Sequence, residues 1–229
     1  NKTNLFIKPH CKDNIILDEP IYGQTVMFFY QIAMIETLKY FGVESDINLG
    51  HSAGELASLY ASNLINLDEA VEICYIRGLL QQKTVKSGRM LLVNLSGTEL
   101  KNKLNEFNID LEIGVENSEN SCVLSGNSEL IKDFSDKLKN SDSNIFQKLI
   151  PGSCSFHSKH QDILKNKLFE KLLKFKNKIS YNKLISSSDI DNEIDNISDY
   201  LWNNIRNKVQ FKKSLEQLKK LNPIFIIEI

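Results

Sequence analysis

Gly50-His51-Ser52-Ala53-Gly54 decides the fold class of this chain. The pentapeptide is a G-x-S-x-G. Before it, Ile47 and Leu49 are the apolar members of a segment that suits a strand over Ser45 to Gly50; after it, Glu55 to Asn63 reads as a helix. A sharp strand-to-helix turn needs glycines because the backbone crowds itself there, and it lifts the serine hydroxyl clear of the sheet. The next helix aims its free N–H groups and positive dipole end at the same place. The pattern predicts an α/β fold with a nucleophile at a strand end. Taken alone, a tight structural turn with an incidental serine competes with that reading.

Outward from the motif, apolar residues recur three and four apart from Gln24 to Tyr40, with Gly42 as a stop, and predict a long helix. Asn1 to Pro20 has no sustained period and reads as loop. Leu67-Asp68-Glu69 opens a further helix through Arg77 and Leu80. Past Gly88 the order changes to strand (Met90 to Leu95), helix (capped by Thr98, to Phe107), strand (Asp110 to Val115) and strand (Ser121 to Leu124). A helix capped by Ser128 and a strand over Asn144 to Ile150 complete the run. That order is the ferredoxin-like βαββαβ unit. The expected division is therefore residues 1–87 and 151–229 as an α/β core, with residues 88–150 as an inserted ferredoxin-like subdomain. After Pro151 a Ser- and His-bearing loop leads to a helix from about His160 to Phe175. Ser186 to Ser198 reads as loop, Val209 to Leu221 as helix, and Ile224 to Ile229 as a buried parallel strand. Ending inside that strand, the chain is expected to be a piece of a longer one.

Composition narrows the function. The 229 residues are 41% apolar and 25% charged, and 28 Lys plus Arg balance 29 Asp plus Glu for a net charge of −1. A nucleic-acid or anionic-membrane binder would carry a basic excess. No apolar run approaches the ~18 residues of a membrane span, and no signal-peptide pattern opens the chain. Cys11, Cys74, Cys122 and Cys154 form no C-x-x-C and read as the reduced thiols of a cytoplasmic protein, and no metal site is expected. A serine nucleophile needs a base. His10 lies in the irregular start and His51 is held beside the serine, which leaves His157 and His160 in the loop Ser153-Cys154-Ser155-Phe156-His157-Ser158-Lys159-His160.

These residues carry a resemblance. Gly50 to Glu55 is similar to the G-H-S-x-G-E signature of the acyl-CoA:acyl-carrier-protein acyltransferases, the malonyl transacylases of fatty-acid synthesis and the acyltransferase domains of polyketide and fatty-acid synthases. Arg77-Gly78-Leu79-Leu80-Gln81-Gln82, Asn117-Ser118 with Val123-Leu124-Ser125-Gly126, and Ser155-Phe156-His157-Ser158 resemble further family segments in the same order. So does the pattern through Tyr200, Asn204, Val209 and Phe211.

The resemblance implies a hydrolase-like parallel-sheet core, transfer of a malonyl-type group from coenzyme A, and delivery to the phosphopantetheine of an acyl carrier protein among other synthase domains. It implies Ser52 as nucleophile, His157 as base and acid, the Asn204 position as the carbonyl that orients the histidine, and Ala53 as an oxyanion donor. Arg77, Phe156, His51 and Gln82 are the implied substrate-binding residues, with Arg77 on the malonyl carboxylate and Phe156 disfavouring a methyl branch. No cofactor is implied beyond the acyl-CoA substrate. The chain departs from the family before Gln24, where the N-terminal strand and its oxyanion glutamine are missing, and at Cys154, Lys159 and Lys208. A serine esterase or thioesterase and a non-catalytic remnant of the fold remain as alternatives.

Overall fold

The computed structural model describes residues 17–86, 88–176, 179–180, 183–188 and 196–229. The expected loop over Asn1 to Pro20, with His10 and Cys11, falls outside these up to residue 16, and the Ser186 to Ser198 loop does so over 189–195.

Helix α1 (Pro20–Tyr40) starts four residues earlier than the periodicity suggests, because Pro20 occupies the first turn, where its missing N–H costs nothing. Strand β1 (Asn48–Leu49) runs into a single 3₁₀ turn (Ser52–Gly54) and then helix α2 (Glu55–Ala61). Helix α3 (Leu67–Gln81) begins with a reciprocal cap in which the Asn66 side chain accepts from the Glu69 N–H and Glu69 accepts from the Asn66 N–H. Phe28 and Ile32 of α1, Leu59 of α2, and Ile73 and Leu80 of α3 are buried together with Leu168 of α6 (Lys165–Leu172) and Tyr200 of α7 (Ile197–Arg206). Strand β1 pairs in parallel with β6 (Leu184–Ile185), Asn48 opposite Leu184 and Leu49 opposite Ile185.

The second sheet is antiparallel and four-stranded. Strands β2 (Arg89–Val93), β3 (Glu112–Ser118), β4 (Ser121–Gly126) and β5 (Gln147–Leu149) lie in the order β3-β4-β2-β5. Helices α4 (Gly97–Phe107) and α5 (Ser128–Ser141) cross between strands, and their apolar stripes meet the sheet. Leu100 of α4, Ile131, Phe134 and Leu138 of α5, and Leu91 and Leu124 of the sheet form this second core. With helices on one face of such a strand order, the unit is ferredoxin-like as expected. The caps differ from the sequence reading by one or two residues. Ser96 and Asn127, not Thr98 and Ser128, take the N-cap positions, because each side chain reaches the backbone N–H two or three residues on.

Two further expectations are corrected. The helix expected from His160 to Phe175 divides into a 3₁₀ stretch (Lys159–Leu164) and α6, and α7 is a helix that the sequence reading left unassigned ahead of α8 (Phe211–Lys220). The run Ile224 to Ile229 is not a buried strand: it pairs with no described strand, and Ile224 and Phe225 are 88% and 86% exposed. Its composition suits a sheet interior, but no described element covers it. No described helix is long and apolar enough to cross a membrane.

Candidate functional site

The turn after β1 is built by exclusion. A side chain at Gly50 would put its Cβ 2.4 Å from the Glu55 Cα, so the chain closes this tightly only on glycine. Two residues on, Ser52 sits in the left-handed region at φ +51°, a conformation that costs a non-glycine residue about 1–3 kcal/mol and persists only where its surroundings impose it. Part of that imposition is visible. Asn204 Nδ2 donates to the Ser52 carbonyl at 3.0 Å, from α7.

The hydroxyl thus presented meets an imidazole. Ser52 Oγ lies 2.7 Å from His157 Nε2, and His157 Nδ1 lies 3.0 Å from the carbonyl oxygen of Asn207. A carbonyl only accepts, so Nδ1 carries the proton and Nε2 is left with its lone pair toward Ser52 Oγ–H. His157 is buried and, like Ser52, has positive φ, at +56°. Burial lowers its pKa to about 3, with a smaller push from the nearby Arg77 guanidinium, so the ring is neutral at pH 7.

That depressed pKa has a consequence for stability. The unfolded imidazole takes up its proton near pH 6.5, whereas the folded one resists until about pH 3. Stability contributed by the neutral ring is complete above pH 6.5. It falls as the pH drops toward 3, by up to ~1.4 kcal/mol per pH unit. Denaturant midpoints between pH 7 and 4 are expected to decline more steeply for the natural chain than for His157→Gln, and parallel slopes would contradict this account.

Arg77 is buried in α3. Its Nε donates to Gln81 Oε1 at 3.4 Å, one helical turn along, and its Nη1 is buried with no protein partner. Burial pulls its pKa down, opposed chiefly by the neighbouring Cys74 thiol and the Glu55 carboxylate. Gln81 accepts from Gln24 Nε2 at 2.6 Å and donates to Gln161 Oε1 at 3.5 Å. Gln161 in turn donates to the Ser155 carbonyl, so a run of amides connects the arginine with the histidine loop.

Glu55 has no role in the sequence reading, although it is the sixth residue of the motif. It is fully buried at the start of α2, and its carboxylate accepts from the Ser187 N–H at 2.7 Å and from the Ser187 and Tyr200 hydroxyls at 2.5 Å each. The Ser186 and Ser188 hydroxyls complete the set. A buried carboxylate needs such saturation or a counter-charge; here it has both. It fastens the Ser52 turn to the segment after β6. Beyond its place as the last residue of the G-H-S-x-G-E match, the sequence offers an acidic residue opening an apolar helix and three consecutive serines elsewhere.

The structure brings Ser52, Ala53, His157 and Asn204 together, with one correction. The carbonyl on His157 belongs to Asn207, not Asn204. Asn207 caps α7, whose existence the sequence reading missed, and Asn204 uses its side chain on Ser52 instead. Gln82 is also displaced from its expected role. Five residues past Arg77, it opens the 3₁₀ turn that follows α3 (Gln82–Thr84) and joins the Glu19 side chain and the Ile21 N–H at the start of α1, whereas Gln81, four residues on, shares the arginine's face. His51 turns from Ser52 to Asn117, with Nε2 2.8 Å from Asn117 Oδ1 and the ring edge-on to Phe211. Phe156 is half-buried and packs against the Met90, Val115, Val123 and Val209 cluster of the antiparallel sheet. Among the described residues no group of His, Cys, Asp and Glu could hold a metal ion.

Residues 17–229 match the family model described as "Acyl transferase domain". The chain is 32% identical over 205 residues to probable polyketide synthase 1 of Dictyostelium discoideum, and 33% identical over 211 residues to probable polyketide synthase 22 of the same organism. These alignments cover 88% and 91% of this chain but 6% and 8% of the relatives, so the chain spans less than a tenth of their length. Among solved structures, a malonyl CoA-acyl carrier protein transacylase from Coxiella burnetii superposes with a TM-score of 0.81 at 20% identity, covering 90% of this chain and 67% of that one. The acyltransferase domain of a Mycobacterium tuberculosis polyketide synthase gives 0.80 at 20% identity, covering 91% and 64%.

Proposed function

The chain belongs to the acyl transferase domain family, and from that premise we propose that it moves a malonyl-type group from coenzyme A, through an ester on Ser52, to the phosphopantetheine thiol of an acyl carrier protein. The observation that carries this reading is the Ser52–His157–Asn207 relay, in which a strained serine hydroxyl meets a neutral imidazole. Ser52 Oγ attacks the thioester carbonyl as its proton passes to His157 Nε2. The backbone N–H of Ala53 donates to the oxyanion. The C–S bond then breaks and the coenzyme A thiolate takes the proton from His157. In the second half, the carrier thiol loses its proton to His157 and attacks the Ser52 ester; the C–O bond breaks, and the proton returns to Ser52 Oγ.

Arg77 supplies selectivity in this scheme. Its unpartnered Nη1 is a buried charged donor, and a malonyl carboxylate is an acceptor that an acetyl group lacks. Charge-assisted hydrogen bonds are worth about 1.5–3 kcal/mol. Arg77→Ala is therefore expected to lower the malonyl-over-acetyl preference in the acylation rate by about 10- to 100-fold. Equal preference before and after the substitution would remove Arg77 from the site.

The relatives are polyketide synthases, which supports a setting among other synthase domains with a carrier domain as partner; polyketide synthesis fits this better than fatty-acid synthesis. The buried free thiols Cys74, Cys122 and Cys154 suit a reducing cytoplasm. We divide the chain into an acyltransferase core (1–87 and 151–229) and the ferredoxin-like subdomain (88–150), with the acyl group held where they meet. Intact-protein mass spectrometry after brief exposure to malonyl-CoA tests the reading. A malonyl-sized adduct that discharges onto an added phosphopantetheinylated carrier is expected. An adduct that water removes just as fast without the carrier would make the chain a thioesterase, and none at all a non-catalytic remnant.

A further inference from the structure

His157 and the carbonyl that orients it come from different parts of the chain, and the side chain of Glu112 holds a near neighbour of each, Lys159 and Arg206. At the first residue of β3, Glu112 Oε1 accepts from the backbone N–H of Lys159, two residues past His157, at 3.1 Å. The same carboxylate accepts from Arg206 Nη1 at 3.0 Å and Nη2 at 3.4 Å, one residue before Asn207. Arg206 is held from its other edge by Asp162, with Nε 2.6 Å from Oδ1. The neighbouring backbone is docked on the same strand: the Val209 N–H donates to the Gly114 carbonyl and the Glu116 N–H to the Val209 carbonyl, both within 3 Å. Nearby, Ser125 Oγ donates to the Phe156 carbonyl at 2.5 Å.

We propose that Glu112 is a positioning residue for acyl transfer: its carboxylate braces the two loops whose hydrogen bond fixes the orientation of His157. The proposal rests on the reading of Ser52 and His157 as the reacting pair. The physical reason is the strain already described. His157 has φ +56°, so its ring stays on Ser52 only while the backbone on both sides is over-determined, and a guanidinium–carboxylate fork is a geometrically exact fastening for one side. The brace also walls a cleft of about 490 Å³ that reaches both His157 and Asn207. Arg206 and Glu112 are 25% and 32% exposed, so solvent screens the pair in part. Its work is placement.

Glu112→Gln keeps the shape but loses the charged fork, and Arg206→Lys keeps the charge but loses the two-pronged geometry. Each variant is expected to label at Ser52 with a fluorophosphonate probe about 10- to 100-fold more slowly than the natural chain, the scale of an ångström-sized misplacement. The rate is taken per folded molecule, by near-ultraviolet circular dichroism. With malonyl-CoA the maximal acylation rate should fall by a similar factor while the half-saturating concentration stays put, a split that a general loosening of the fold would not give. Asp110→Asn, which removes only the exposed partner of the Lys159 side chain, should label at the natural rate. Wild-type labelling by Glu112→Gln, or a change confined to half-saturation, would overturn the proposal. The probe needs no acyl-CoA, so a natural chain that labels with it yet ignores malonyl-CoA would count against the substrate reading alone and leave the brace measurable.

Discussion

A Ser52→Ala chain exposed to malonyl-CoA is expected to carry no acyl adduct, while the natural chain carries one that peptide mapping assigns to Ser52. The loss should be total because no other described nucleophile is equipped to substitute. Burial pushes the Cys74 and Cys122 thiols up to about 11 and raises Cys154 as well, so at pH 7 to 8 these sulfurs stay protonated and enclosed. Their surroundings are those of packing groups. Ser52 differs in each respect: its hydroxyl is delivered by a turn that only glycine at position 50 allows, and it lies 2.7 Å from a neutral imidazole nitrogen. Alanine at 52 removes the attacking oxygen without adding bulk, and the Asn204 contact to its carbonyl is unaffected. An adduct forming on Ser52→Ala at the natural rate would mean that the motif is a structural turn after all.

The same turn explains how far the sequence could be read. Its glycines and serine are local chemistry within five residues, and so are the opening of α3 at Leu67-Asp68-Glu69 and the strand and helix alternation from β2 to β5. Those features were legible. What was not legible depends on partners distant in sequence. Glu55 meets Ser187 across 132 positions, and nothing near Glu55 announces three waiting hydroxyls. The carbonyl on His157 lies three residues past Asn204, the position to which the resemblance assigns it, because a sequence match carries no backbone geometry. An orienting group that is backbone leaves no side-chain signature at all. Gln81 and Gln82 show the finer limit: adjacent identical residues, separated only by a helix's 100° step, end in different places. The run Ile224 to Ile229 erred in the opposite direction, since composition reports what a segment could bury and not whether a neighbour is there.

His157→Gln is expected to slow acylation of Ser52 by about 10²–10⁴-fold, the usual contribution of a positioned general base. Glutamine fills much of the ring's volume, so the buried site is not emptied, but its amide cannot take a proton from Ser52 Oγ. The test becomes sharper with pH. A solvent-exposed histidine base would titrate near 6.5, and the rate would fall below that pH. Here burial and the Arg77 charge lower the pKa to about 3, so the ring stays unprotonated well below pH 6.5. Single-turnover acylation by the natural chain is accordingly expected to stay level from pH 8 to pH 5, with the His157→Gln rate low and equally level beneath it. A base held this far down is also harder to protonate, so the gain at each proton return is matched by a cost at each deprotonation. A rate that follows a single ionisation near pH 6.5 would show that the ring is solvated when it works, with the Nδ1 contact to Asn207, which favours the charged ring, still in place.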